Sequence, residues 1–154
     1  MHLTRLSALA AMMMISGLAS AEVRIEGPVE FGVFEGPTAQ LQSGERVLRR
    51  SNEQIQATTV VPARLGTKFG LRYQLLGKVA EDTPLTLLYF TPGIRTADGQ
   101  RHDKFEVTQK LVPGAPQDVM AYEFTESYEV VPGEWRFMVF QGDRLLTQKS
   151  FTVR

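Results

Sequence analysis

The chain predicts an all-β fold, a single antiparallel β-sandwich of about eight strands, on three observations. Apolar residues recur with period two over most of residues 22–154, the pattern of strands that set one face on a core and the other in water. Gly and Pro turn signals separate these runs at the spacing expected of a sandwich or barrel. Beyond residue 22, no stretch longer than about ten residues keeps a convincing helical period.

Val23, Ile25, Val29, Phe31 and Val33 share parity, with Arg24, Glu26 and Glu30 between them, and predict the first strand. Leu41 to Gln54 is the exception that follows: with Glu45, Arg46, Arg49, Arg50 and Glu53 it reads as a short helix or a polar loop. Ile55, Ala57, Thr59 and Val61 predict the second strand, and Phe69, Leu71, Tyr73 and Leu75, set against Lys68, Arg72 and Gln74, the third. Leu85, Leu87 and Tyr89 come next, then Phe105 and Val107 with Glu106 and Thr108 between and after them. Tyr122 and Phe124, then Trp135, Phe137 and Val139, then Phe151 and Val153 complete the set. The turns fall at Gly36-Pro37, Ser43-Gly44, Pro92-Gly93, Asp98-Gly99, Pro113-Gly114-Ala115-Pro116 and Pro132-Gly133, since Gly takes positive φ freely and Pro fixes φ. Gln141-Gly142-Asp143-Arg144 reads as a tight hairpin joining the last two strands.

Val131-Pro132-Gly133-Glu134-Trp135 narrows the architecture. A Pro-Gly turn into a strand that opens with an aromatic is how many immunoglobulin-like sandwiches cross between sheets, the aromatic packing near the corner. A sandwich is therefore favoured over a closed barrel. Pro62-Ala63-Arg64-Leu65-Gly66-Thr67-Lys68-Phe69-Gly70-Leu71-Arg72-Tyr73 resembles the signature of a bacterial domain-of-unknown-function family, the one numbered 3859. Tyr122-Glu123-Phe124 with Glu129 to Phe137 resembles its second signature, and Lys149 to Val153 its closing strand. Tyr128 stands where that family more often has Trp, and the Thr91-Pro92-Gly93 turn is shorter than usual. The resemblance implies an immunoglobulin-like sandwich in an exported bacterial protein, and no activity.

Residues 1–21 read as an export signal: Arg5 is the positive start, Leu6 to Leu18 the apolar run, and Ala19-Ser20-Ala21 a small-x-small cleavage site before Glu22. A membrane span needs about 20 apolar residues, more than this run supplies. The chain has no Cys, so no thiol follows the cleavage site to carry a lipid. The expectation is a periplasmic or secreted protein with no stable membrane insertion, its single domain at residues 22–154. Roughly 130 residues suffice to bury one core without disulfides. Cleavage takes Lys+Arg from 17 to 16 against Asp+Glu 17, a net of −1, which gives no electrostatic case for nucleic acid.

Catalytic chemistry finds little to work with. His102 is the one imidazole after the signal and there is no thiol, so neither a zinc site of the usual ligands nor a serine triad has its parts. No catalytic residue, resident metal or cofactor is expected. His102 and Asp103 remain as ligand candidates, including a copper site with Met120 or Met138, against the simpler expectation of an exposed loop histidine. Glu123, Glu126 and Glu129 are evenly spaced, but on one strand Glu126 would face away from the other two, and a glycosidase pair also needs a cleft. Asp98 and Asp103 lack the alternating ligands of a calcium loop. Trp135 invites sugar stacking, yet its parity with Phe137 and Val139 points inward. Arg64, Lys68 and Arg72 read as the wet face of a sheet.

The leading expectation is therefore an exported, non-enzymatic binding module whose partner is an envelope protein or a second copy. The alternatives are a small envelope hydrolase, a metal- or carbohydrate-binding domain, and a small outer-membrane barrel. The last lacks a terminal aromatic, since the chain ends in Val153-Arg154. Met138 and Phe140 are the candidate interaction face, because the strand from Glu134 to Gln141 is apolar on both sides. The Gly36 to Asn52 segment, with Leu41, Val47 and Leu48, is expected to fold over that face, and a partner or second copy is the alternative cover.

Overall fold

The computed structural model describes residues 22–36, 47–48 and 53–154, with the backbone alone at 47–48. The segment expected to be an export signal, with Ala19 and Ala21, together with Leu41 and most of the Leu41 to Gln54 segment, lies outside the described residues. The strands are β1 (Arg24–Glu35), β2 (Val47–Leu48), β3 (Gln54–Gln56), β4 (Val60–Val61), β5 (Lys68–Leu76), β6 (Leu85–Arg95), β7 (Arg101–Gln109), β8 (Asp118–Glu123), β9 (Gly133–Gln141) and β10 (Arg144–Val153). A 3₁₀ turn at Ser127–Glu129 precedes β9. They form two five-stranded sheets, a first of order β2-β8-β5-β1-β3 and a second of order β4-β10-β9-β6-β7. Two open sheets packed face to face are a sandwich, and the outer-membrane barrel alternative is overturned.

The inner faces follow the predicted parity. Phe69, Leu71, Tyr73 and Leu75 of β5 meet Trp135, Phe137 and Val139 of β9 in one core cluster. The Phe69 ring lies 5.2 to 5.6 Å, centroid to centroid, from Phe124, Trp135, Phe137 and Phe151, within the range where tilted and edge-on ring pairs attract. Trp135 is fully buried and its indole N–H donates to the Val131 carbonyl at 3.0 Å. This places the aromatic at the sheet-to-sheet corner and removes it from any sugar-binding surface.

Two expectations about strands need correction. Ile55 to Val61 is not one strand: Ile55 pairs with Phe34 in the first sheet, while Val60 and Val61 pair with β10 in the second. The chain changes sheets at Ala57 to Thr59, and period two cannot reveal this because the parity carries on across the switch. Val47–Leu48 is neither helix nor loop but a two-residue strand opposite Tyr122 and Ala121, too short to have a period. The Gly142-Asp143 hairpin is as predicted, with Gly142 at φ 60° as the first of its two central residues. Gly32 and Gly70 lie opposite each other in the first sheet. A Cβ there would fall 1.9 Å from the Gln56 carbonyl oxygen and 2.1 Å from that of Met120, so only glycine fits.

Candidate functional site

The two outer faces differ in how the chain treats them. On the first sheet, Phe34, Val119 and Ala121 are buried and pack with Ile55 in a second apolar cluster. Beside it Lys68, 1% exposed, donates to both Glu53 carboxyl oxygens at 2.6 and 2.7 Å. Arg72 holds Glu30 through two hydrogen bonds of 2.6 and 2.9 Å and donates a third to the Glu53 carbonyl at 2.6 Å. The Arg72 hydrogen bond keeps the Glu30 carboxyl below its ordinary pKa. Lys68 and Arg72 are thus not a solvated basic strip, although Arg64 is exposed. Their partners lie 15 to 42 residues away, beyond the reach of any local pattern.

Glu123 completes this face as its unbalanced member. It lies opposite Lys68 in the β5–β8 pairing, is 1% exposed, and neither carboxyl oxygen has a hydrogen-bond partner. Burial pushes its pKa up, and the Lys68 charge opposes this only in part. A group whose folded pKa is raised favours the folded state at low pH, and that contribution is lost as pH rises through the raised value. Glu123→Gln is therefore expected to raise the melting temperature at pH 7 and to flatten the decline that begins above the ordinary Glu value of about 4.5. Thermal melts of both proteins from pH 4 to 8, roughly the span over which such a group titrates, check this; a less stable variant at pH 7 would mean Glu123 has a partner in solution.

The outer face of the second sheet carries the predicted candidates. Met138 lies between Leu88 and Gln148, and Phe140 between Thr86 and Leu145. Both are half-buried, while Leu145 is 41% exposed and Val60 40%. Phe90, on the same face, carries the Arg136 guanidinium 4.9 Å above its ring. The expected cover is corrected for Val47 and Leu48: their backbone pairs with β8 at the edge of the first sheet. Glu53, where the description resumes, is also held on the first sheet by Lys68 and Arg72. Leu41 lies outside the described residues.

The remaining candidates do not assemble. His102 is not in a loop but in β7, half-buried, its ring stacked on Phe105 at 5.8 Å and its Nε2 3.4 Å from the Thr96 hydroxyl. Asp103 follows it on the strand and is exposed. The His102 ring is thus taken up by Phe105 and Thr96, while neighbouring side chains on a strand diverge, so the pair is not assembled as a site. Met120 is buried in the core and Met138 lies two strands away. Among the described residues, no three His, Cys, Asp or Glu side chains converge on a possible metal position.

Glu126 is half-buried before the 3₁₀ turn, and Glu129 is buried on the other side of the sheet from Glu123. Glu129 accepts from the Tyr122 hydroxyl at 2.5 Å, from the Thr125 N–H and hydroxyl at 3.0 Å each, and from the Glu126 N–H at 2.8 Å. This structural role went unread, because the turn breaks the periodicity that the three glutamates suggest. A groove of ≈ 250 Å³ opens between the end of β1 and the Pro62–Thr67 loop, with Arg64 and Leu65 at its rim. Among the described residues, no carboxyl, imidazole or thiol lines it.

The whole architecture is shared with a solved structure. An immunoglobulin-like protein from Pseudomonas aeruginosa, known from its crystal structure, is 69% identical over 88% of this chain and 99% of its own, with a TM-score of 0.77. No curated protein matches the chain. The model of the domain-of-unknown-function family DUF3859 matches residues 22–153, which takes in both signatures and all ten strands. With its immunoglobulin-like sandwich, the chain belongs to that family.

Proposed function

We propose that this domain is an exported, non-enzymatic interaction module that docks an envelope protein or a second copy of itself on the outer face of the second sheet, around Met138 and Phe140. The asymmetry of the two outer faces carries the reading. The first is closed by its own chain, with Val119, Ala121, Lys68 and Glu123 each at most 1% exposed. The second keeps Leu88, Met138 and Phe140 only half-buried beside exposed Leu145, and a contiguous apolar stripe of this kind is a common mark of an interaction site. Export is supported by the Arg5 to Ala21 pattern. Against an enzyme stands the scatter of His102, Glu123, Glu126 and Glu129 over different faces.

The test is a photocrosslinking residue at Phe140, compared with one at exposed Gln74 on the first sheet, in cells that make the protein. A discrete adduct is expected from Phe140 alone, recovered with exported protein whose mass begins at Glu22. With the photocrosslinking residue moved to exposed Leu145, which lies opposite Phe140, Phe140→Glu should abolish the adduct while costing less than about 1 kcal/mol of stability, as for most surface changes. A large loss of stability with the adduct retained would show that the face is filled from within, and the docking reading would be wrong. Light scattering then separates a second copy from a different protein.

A further inference from the structure

We propose that the partner docks by adding an extended acidic strand to the open flank of β10, beside the Met138 and Phe140 face; this deepens the docking reading above and rests on it. β10 pairs with β9 along Arg144–Val153, but among the described residues its other flank is met only by β4, at Thr152 and Val153. The Thr152 N–H donates to the Thr59 carbonyl at 2.8 Å and so points away from β9. Along a regular strand this direction repeats at every second residue. Ser150 and Gln148 therefore present their N–H and C=O groups on the same flank, and both residues are exposed. The regular stretch begins at Thr147, after the bulge between Leu145 and Thr147.

Among the described residues, two other long stretches of strand are open on one flank, and both are protected. β7 exposes Arg101, Asp103, Lys104 and Glu106, charges of both signs along one edge. β1 from Arg24 to Phe31 is interrupted at Gly27-Pro28, where its register with β5 shifts. Charges, proline and bulges are the devices by which natural edges avoid unwanted pairing. β10 from Thr147 to Ser150 has neither proline nor bulge, and its one charge turns inward, the Lys149 ammonium lying 3.8 Å over the Phe31 ring. Such a flank is a template for strand addition.

Charge selects the occupant. Arg144, before the bulge, is already held by Glu22, Val23 and Gln141, but Lys149 lies in the open stretch, Arg154 follows β10, and no acidic residue lies between Arg144 and Arg154. A second copy of β10 would bring more cations and no carboxylate, whereas opposite charges across a strand pair attract. Because strand side chains alternate, the complementary strand sets acidic residues toward Lys149 and apolar ones outward, extending the stripe of Phe140 and Leu145.

The probe is a peptide of alternating valine and glutamate, with a valine–lysine peptide as control, added to the isotopically labelled exported protein. The glutamate peptide is expected to slow amide exchange at Gln148 and Ser150 by about tenfold or more, and the lysine peptide to leave it unchanged. Ser150→Pro removes one donor and fills the flank where an edge tolerates proline, and should weaken binding by at least about tenfold, or 1.4 kcal/mol, at an unchanged melting temperature. If that variant fails to fold, exchange on the unaltered protein decides. Protection confined to β7 or β1, equal binding of both peptides, or no protection at millimolar peptide would overturn the proposal. The Phe140 adduct is read separately: an adduct without protection at Gln148 and Ser150 leaves docking on the face and removes strand addition, and protection without an adduct removes the face.

Discussion

Glu129→Ala is expected to cost about 3 to 5 kcal/mol of folding stability, because each buried donor left without a partner costs about 1 to 3 kcal/mol. The carboxyl gathers the Tyr122 hydroxyl, both donors of Thr125 and the Glu126 N–H within 3.0 Å. Tyr122 is 1% exposed, so water cannot replace its partner, whereas Thr125 and Glu126 are half-buried and recover part of their loss. Glu129→Gln keeps one acceptor oxygen in place and should cost about half as much by the same count. Urea unfolding checks both variants: the midpoint should fall while the slope stays constant, since the surface exposed on unfolding is little changed. Equal losses for Ala and Gln would mean that the carboxyl acts by charge rather than as a multiple acceptor.

Trp135→Ala is expected to destabilise by a similar amount, about 3 to 5 kcal/mol, the usual cost of emptying a core aromatic site. The indole contacts Phe69, Tyr122 and Phe124 at ring-centroid distances of 5.6, 5.1 and 5.5 Å. Its loss opens a cavity between the sheets and orphans the Val131 carbonyl. Trp135→Phe retains the ring and should recover more than half of the loss, leaving mainly the missing N–H bond and the smaller volume. Thermal melts of the two variants separate packing from hydrogen bonding. A cost below about 1 kcal/mol for the alanine variant would place the indole at the surface in solution.

What could be read in the sequence was the inner half of each sheet. Trp135, Phe137 and Val139, and Phe69 to Leu75, face a core on one side, so their alternation survives in the residue order. The outward residues carry no comparable signal. Lys68 and Arg72 look solvated because their acidic partners are distant in sequence, and only the folded first sheet brings Glu53 and Glu30 to them. His102 looks like part of a loop because Asp98 to Asp103 is uniformly polar, yet the connection closes within Thr96 to Gln100, the Gly99 N–H donating to the Thr96 carbonyl, and β7 begins at Arg101. At the candidate face, Met138 and Phe140 were identifiable from a strand apolar on both sides. Which sheet the long connection would engage was not, because that choice depends on Val47, Leu48 and Glu53 pairing with residues of β5 and β8.

The way the chain enters and leaves the sandwich also sets how it bears load. Val23 is tied to the β9–β10 hairpin through the Gln141 side chain, while Arg154 exchanges backbone hydrogen bonds with Val61 and Ala63 at the far end of β10. Tension applied at these two points runs along the strands, so β1 is pulled lengthwise against β5, and β10 lengthwise against β4 and β9. Hydrogen bonds strained in this direction share the force and break together rather than unzipping singly, which makes the domain stiff against a pull on both ends.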